Sequence, residues 1–91
     1  MVYTYIVQCA DGTLYTGWTT HLEKRLATHN AGTGAKYTRS RLPVELVYFE
    51  YQENQSVAQK REASIKKLRR QQKIALITEF SKSELEQLNH D

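Results

Sequence analysis

Five side chains have types and spacings suited to chemistry on a phosphate: Tyr5, Tyr15, Arg25, His29 and Glu62. On a helix advancing ~100° per residue from Leu22 at zero, Arg25 falls at ~300°, His29 at ~340° and Leu26 at ~40°. Two cationic-capable residues thus share the side that Leu22 and Leu26 give to a core. A buried guanidinium without a partner is costly, so Arg25 must snorkel out, meet a carboxylate or line a cleft that takes an anion. His29 alone reads as readily as a core histidine. Glu62 is the one acid between residues 60 and 73. It either pairs with Arg61, Lys66 or Arg69, or holds a metal ion against a phosphate. One carboxylate is enough for Mg²⁺, which keeps several waters and takes substrate oxygens as further ligands.

Six tyrosines in 91 residues suit the amphipathic edge of a core. Tyr15 stands apart because it lies two residues before Gly17, and a glycine lets a ligand or another backbone come close. The turn at Asp11-Gly12 decides whether Tyr5 and Tyr15 can act together. A two-residue loop pairs Gln8 with Tyr15 and sends the two tyrosines to opposite faces. A three-residue loop, with Gly12 as the bulge residue, pairs Val7 with Tyr15 and Tyr5 with Gly17, and leaves both tyrosines on one face at roughly 7 Å. Only an odd loop length permits a joint site.

These residues must be held by short elements. Residues 2–9 alternate and are rich in β-branched and aromatic types, which predicts a strand with Tyr3, Tyr5, Val7 and Cys9 on one face. Residues 13–17 form the return strand. Thr20 and Glu23 match a capping box for a helix over 20–31. Gly32, Gly34 and Pro43 then argue for a polar loop without regular structure. Residues 44–51 read as a third strand. Ser56 and Gln59 form a second capping box for a helix over 57–70, with Ala58, Ile65 and Leu68 at helical spacing. A further helix starts near 71, and Ser81 to Glu84 would cap a last short one. The order β-β-α-β-α-α predicts an α+β domain with a small, mainly antiparallel three-stranded sheet flanked by helices. One domain over 1–80 with a C-terminal extension over 81–91 is expected, since so short a chain cannot bury two cores.

Net charge is +3, with 40% hydrophobic and 25% charged residues, a globular composition. The charge is concentrated. Residues 1–59 carry five Lys or Arg against five acids, residues 60–73 carry seven against Glu62 alone, and residues 74–91 carry Lys82 against four acids. Such a block is either a solvated helix face or a seat for a polyanion such as nucleic acid. No apolar run reaches the ~18 to 20 residues of a membrane span, and no secretion signal is evident. The lone Cys9 fits a reducing compartment, with the cytoplasm as the expectation.

Taken in order, "YTY" at 3–5, "YTG" at 15–17, Arg25, His29 and Glu62 within "KREASIKKL" resemble the GIY-YIG nuclease domain. The chain to about residue 80 is similar to the small stand-alone UPF0213 family, through "CADGTLYTG", "GAKYTRSRLPVELVY" and "REASIKKL". Tyr3 and Thr4 stand where the wider pattern has Gly and Ile, and Trp18 where some repair members have a lysine. The resemblance implies a divalent-metal-dependent endonuclease that uses one Mg²⁺ or Mn²⁺ ion and cuts nucleic acid with low sequence specificity. DNA is the expected substrate, RNA is left open, and a role in DNA repair or recombination is implied. Tyr5, Tyr15, Arg25 and His29 would be site residues and Glu62 the metal carboxylate, with Tyr5 and Tyr15 both open as the base. Gly17, Lys36, Tyr37, Arg39, Arg41, Lys66, Lys67, Arg69 and Arg70 would line the nucleic-acid surface. The alternative is a nucleic-acid-binding accessory module that turns over little without a protein partner. A monomer or weak homodimer, with no membrane association, is expected.

Overall fold

The computed structural model describes residues 1–88. Strands β1 (Val2–Gln8), β2 (Leu14–Thr19) and β3 (Glu45–Gln52) form one antiparallel sheet in the order β2-β1-β3. Helices α1 (Leu22–Asn30), α2 (Lys36–Arg39), α3 (Gln55–Lys66) and α4 (Arg70–Leu88) complete the chain. This is the expected α+β arrangement.

The β1–β2 turn adopts the odd loop. Cys9 N donates to Thr13 O at 2.8 Å and Gly12 N to Cys9 O at 2.9 Å, with Gly12 at φ 84°. That conformation is favourable for glycine and makes Gly12 the bulge residue. In consequence Val7 pairs with Tyr15 and Tyr5 with Gly17, and Tyr5 and Tyr15 face the same side.

Because β1 is central, both of its faces are buried. Tyr5, Val7 and Cys9 pack with Val44, Leu22 and Leu26 on the α1 side, while Ile6 packs with Tyr48, Ile65, Leu76, Ile77 and Phe80 on the side of α3 and α4. An irregularity between Ile6 and Val7 pairs them with Tyr48 and Leu46 and leaves Val47 as the extra residue. A bulge of this kind re-aims neighbouring side chains, and Val47 joins Tyr48 in the second cluster.

Several local expectations are corrected. The cap of α1 is His21 rather than Thr20: its extended backbone lets Nδ1 accept from Lys24 N at 3.3 Å. At α3 the cap is Asn54 rather than Ser56, with Oδ1 accepting from Val57 N at 2.9 Å, so this helix begins and ends earlier than predicted. Asparagine is among the strongest N-caps, and Asn54 comes before Ser56 as the chain leaves β3. The expected irregular loop contains the single turn α2. No new helix starts at Ser81; α4 continues through it to Leu88. The final residues, 89–91, of the expected extension lie outside the described residues. No described helix is long and apolar enough to cross a membrane.

Candidate functional site

The centre of the site is the Tyr5 hydroxyl, delivered from the middle of β1 to the buried flank of α1. Its oxygen lies 2.8 Å from His29 Nε2 and accepts a hydrogen bond from Arg25 Nε at 3.3 Å. The wheel position of Arg25 and His29 beside Leu22 and Leu26 explains the convergence, since the stripe that packs on the sheet also carries these two groups onto Tyr5. Tyr5 is 2% exposed and His29 is fully buried. Among the described residues Arg25 meets no carboxylate, and it is half-buried; a phenol oxygen takes its Nε.

Burial pushes the Tyr5 phenol above its ordinary value, a shift that the Arg25 hydrogen bond partly offsets. Burial also holds His29 below its ordinary value, with Arg25 adding repulsion. The Tyr5 hydrogen bond holds Arg25 above its ordinary value, against the opposing effect of burial. At neutral pH the cluster is therefore a neutral phenol beside a neutral imidazole and a permanent cation.

Gly17 has a different role from the expected opening toward a phosphate. A Cβ at Gly17 would lie 2.6 Å from the Tyr5 oxygen and 2.8 Å from Cζ. The space is filled by Tyr5, and Gly17 itself is buried. Its missing side chain seats the phenol at the site.

Tyr15 closes the next side. Its ring packs edge-on to His29 at 5.5 Å and stacks with Tyr37 at 6.0 Å between centroids. Arg41 covers Tyr37, with Cζ 4.0 Å from the ring centroid. Helix α3 brings Lys66 Nζ to 5.8 Å from the Tyr15 centroid and pairs it with Glu62 Oε1 at 2.9 Å. The Glu62 charge is felt at Tyr5, where it raises the phenol pKa. Tyr5, Tyr15, Arg25, His29 and Glu62 thus belong to one neighbourhood. Of the three partners open to Glu62 in the sequence, Lys66 is the one it takes.

The expected basic surface is divided. Lys36, Lys67 and Arg69 are exposed and make no ion pair with any described residue. Others are partly engaged. Arg41 Nε lies 3.1 Å from Asp11 Oδ2 without hydrogen-bond geometry, while its Nη1 donates to Tyr37 O at 2.7 Å. Arg39 Nε donates to Gly34 O, and Arg70 Nη2 to Gly12 O. These three contribute to holding the loops around the site.

Two parts of the arrangement escaped the sequence reading. His29 Nδ1 lies 2.9 Å from Thr38 Oγ1, and Thr38 is fully buried. Gly34 lies so close that a Cβ there would meet His29 Nδ1 at 2.6 Å. The "GAKYT" stretch had shown only its glycine, its lysine and its tyrosine as signals; a threonine gives no periodic signal of burial. On the far side, Arg61 ties α3 to β3 through Glu50, at 2.9 Å from Nη2 to Oε2, and Tyr48 also donates to Glu50. Burial would raise the Glu50 carboxyl, but the bonds from Arg61 and Tyr48 outweigh it and hold it low. Burial and then Glu50 push Tyr48 up to about 12. This cluster anchors α3, the helix that carries Glu62.

Comparison with known proteins gives the same frame. Residues 1–75 match the family model of the GIY-YIG catalytic domain. A UPF0213 protein of Clostridium perfringens is 60% identical over 89% of this chain and 87% of its own length. One from Streptococcus pyogenes is 55% identical over 97% of this chain and 94% of its own. Among solved structures, the solution NMR structure of a UPF0213 protein of Bacillus halodurans superposes with a TM-score of 0.55 at 40% identity, covering 86% of this chain and 84% of that one. A protein of E. faecalis superposes at 0.57 and 47% identity, covering 87% and 84%.

Proposed function

Since this chain belongs to the GIY-YIG catalytic-domain family and to its UPF0213 group, we propose that it is a divalent-metal-dependent endonuclease acting on DNA with low sequence specificity. The observation that carries this reading is the Tyr5 hydroxyl held between Arg25 Nε at 3.3 Å and His29 Nε2 at 2.8 Å.

Hydrolysis of a phosphodiester needs a base for the attacking water and positive charge where the phosphoryl and leaving oxygens become more negative. A phenol with a raised pKa is a poor base alone, but Tyr5 has an acceptor beside it. As water attacks phosphorus, its proton passes to the Tyr5 oxygen while the Tyr5 proton moves to His29 Nε2. The proton lost from water therefore resides on the imidazole. Tyr5 is the reacting group in this account, and Tyr15 walls the imidazole. Arg25 uses Nε on Tyr5 and keeps its terminal nitrogens for the phosphoryl oxygens, with donors that stay charged.

The donor chemistry at Glu62 fits a hard, largely hydrated cation. It is the only acid of α3, its side chain is 22% exposed, and no group of three His, Cys, Asp or Glu ligands stands with it among the described residues. One carboxylate, with waters and phosphate oxygens completing the shell, is what Mg²⁺ or Mn²⁺ takes. Glu62 would hold the ion, exchanging its bond to Lys66, which would then be available to the phosphate backbone. When bound, the ion supplies positive charge for the leaving oxygen.

Outside the centre, exposed Lys36, Lys67 and Arg69 would contact phosphates without reading bases. The test is cleavage of labelled single-stranded, duplex and branched DNA and of RNA, with Mg²⁺ or Mn²⁺ against chelator. Metal-dependent cutting that is strongest on DNA supports the proposal. Salt-sensitive binding with no cutting on any substrate contradicts it and favours an accessory module that works through a partner.

A further inference from the structure

Thr38 has no role among the expected site residues, yet its hydroxyl continues a chain of hydrogen bonds that begins at Arg25. The direction of each bond follows from what the buried Tyr5 oxygen touches. Its hydrogen-bond partners among the described residues are Arg25 Nε and His29 Nε2. Arg25 can only donate, so the Tyr5 proton has one destination, His29 Nε2. With Nε2 accepting, a neutral imidazole carries its proton on Nδ1, and that proton needs an acceptor. Thr38 Oγ1 is there at 2.9 Å. The Thr38 hydrogen is turned away, toward Ala35 O at 2.9 Å. The reverse assignment would leave the Tyr5 hydroxyl, at 2% exposure, with no acceptor among the described residues, which burial disfavours.

The loop around Thr38 is built to keep it in place. Asn30 closes the loop across its ends, Oδ1 accepting from Val44 N at 2.7 Å and Nδ2 donating to Val44 O at 3.1 Å. Ala10 N donates to Arg41 O at 2.9 Å, which ties the loop to the β1–β2 turn. Gly34 lies against the imidazole where no larger residue fits. The ionisable groups around the ring are Tyr5 from β1, Tyr15 from β2 and Arg25 from α1, while Glu62 of α3 acts on Tyr5 and Lys66 of α3 lies over Tyr15. None of these bonds to Nδ1; among the described residues Thr38 is the hydrogen-bond partner of that nitrogen.

We propose that Thr38 is a positioning residue: by accepting from Nδ1 its hydroxyl supports the tautomer that Tyr5 requires and holds the ring plane, so that Nε2 faces Tyr5 as a proton acceptor. This rests on the reading of Tyr5 as the group that meets the attacking water. Its test separates the two.

The imidazole tautomer is read directly, without substrate, from long-range ¹H–¹⁵N correlations of His29 in the full chain at pH 7.5. Wild type and Thr38→Ser should show the Nδ1-protonated form, and Thr38→Val should lose it in favour of the Nε2-protonated form or a mixture. In cleavage assays Thr38→Val should lower kcat at least ~10-fold, since a wrong tautomer can cost a base up to ~10⁴ in turnover. KM should stay within ~3-fold, the signature of a loss made at the chemical step, and Thr38→Ser should restore kcat. Wild type protonated on Nε2, or Thr38→Val that keeps the Nδ1 form, would overturn the positioning role. So would a changed tautomer with unchanged kcat. If Thr38→Val does not fold, the wild-type and Thr38→Ser spectra still decide the tautomer. A wild type that cuts no nucleic acid would overturn the nuclease reading while leaving the spectra to decide how the ring is held.

Discussion

Replacing Gly17 with alanine would put a methyl group where Tyr5 now stands. The added carbon would meet the Tyr5 oxygen at 2.6 Å, Cζ at 2.8 Å and Cε2 at 3.1 Å, whereas ordinary contact begins at 3.4 Å. The phenol must therefore retreat by about 0.8 Å. It has no free direction in which to do so, because His29 Nε2 already lies at 2.8 Å and Arg25 Nε at 3.3 Å. Overpacking of this kind costs ~1–3 kcal/mol. For a domain of this size each kcal/mol moves the melting point by ~4–8 °C, so Gly17→Ala should melt ~5–20 °C below wild type. A displacement near 1 Å of a reacting group can cost ~10² in rate, and cleavage should fall by about that factor even at temperatures where the variant is folded. Thermal melts by circular dichroism, with single-turnover cleavage well below the melting point, measure both. A variant melting within a degree or two of wild type and cutting at a near-normal rate would refute the claim that Gly17 exists to seat Tyr5.

Other perturbations test the remaining parts. His29 has a folded pKa below its ordinary 6.5, so the unfolded chain binds a proton that the folded protein refuses between the two values. That stability is present above ~6.5 and is lost as pH falls through the folded value. Urea midpoints should therefore drop between pH 7.5 and 5.5, and less so in His29→Gln; equal drops would contradict the assignment. Glu50→Gln leaves Arg61, which is 35% exposed on its side chain, without its ion pair. It should cost ~1–2 kcal/mol, below the range for fully buried pairs, and a melt unchanged from wild type would argue that the cluster does not anchor α3. Lys67→Ala with Arg69→Ala should lower DNA affinity evenly across sequences and reduce the slope of log affinity against log salt by ~2. An unchanged slope would remove these two side chains from the interface.

Much of this architecture was legible in the residues. The Asp11-Gly12 turn allows two hairpin registers, and only the odd one lets Tyr5 and Tyr15 share a site; Gly12 at φ 84° provides it. Periodicity put Arg25 and His29 on the packed stripe of α1, where they are found. Capping positions were less legible, because Thr20 and Ser56 compete with nearby His21 and Asn54, and where each strand ends decides between them. The Gly17 reading erred for a different reason. The odd loop pairs Tyr5 with Gly17, but register alone does not say that the phenol leans across its partner's backbone and fills the space there. Thr38 was out of reach for similar reasons. A lone threonine in a glycine-rich loop carries no periodic signature, and only the fold brings it to within 2.9 Å of an imidazole nine residues back.

The role of Tyr5 is tested most simply by comparing single-turnover cleavage by wild type, Tyr5→Phe and Tyr15→Phe on the same DNA in Mg²⁺. With the proton transfer at Tyr5, Tyr5→Phe should lose at least ~10² in rate, the scale of general acid–base catalysis. Tyr15→Phe, which keeps the ring against His29, should lose far less. Near-normal cleavage by Tyr5→Phe, or a greater loss at Tyr15 than at Tyr5, would contradict it.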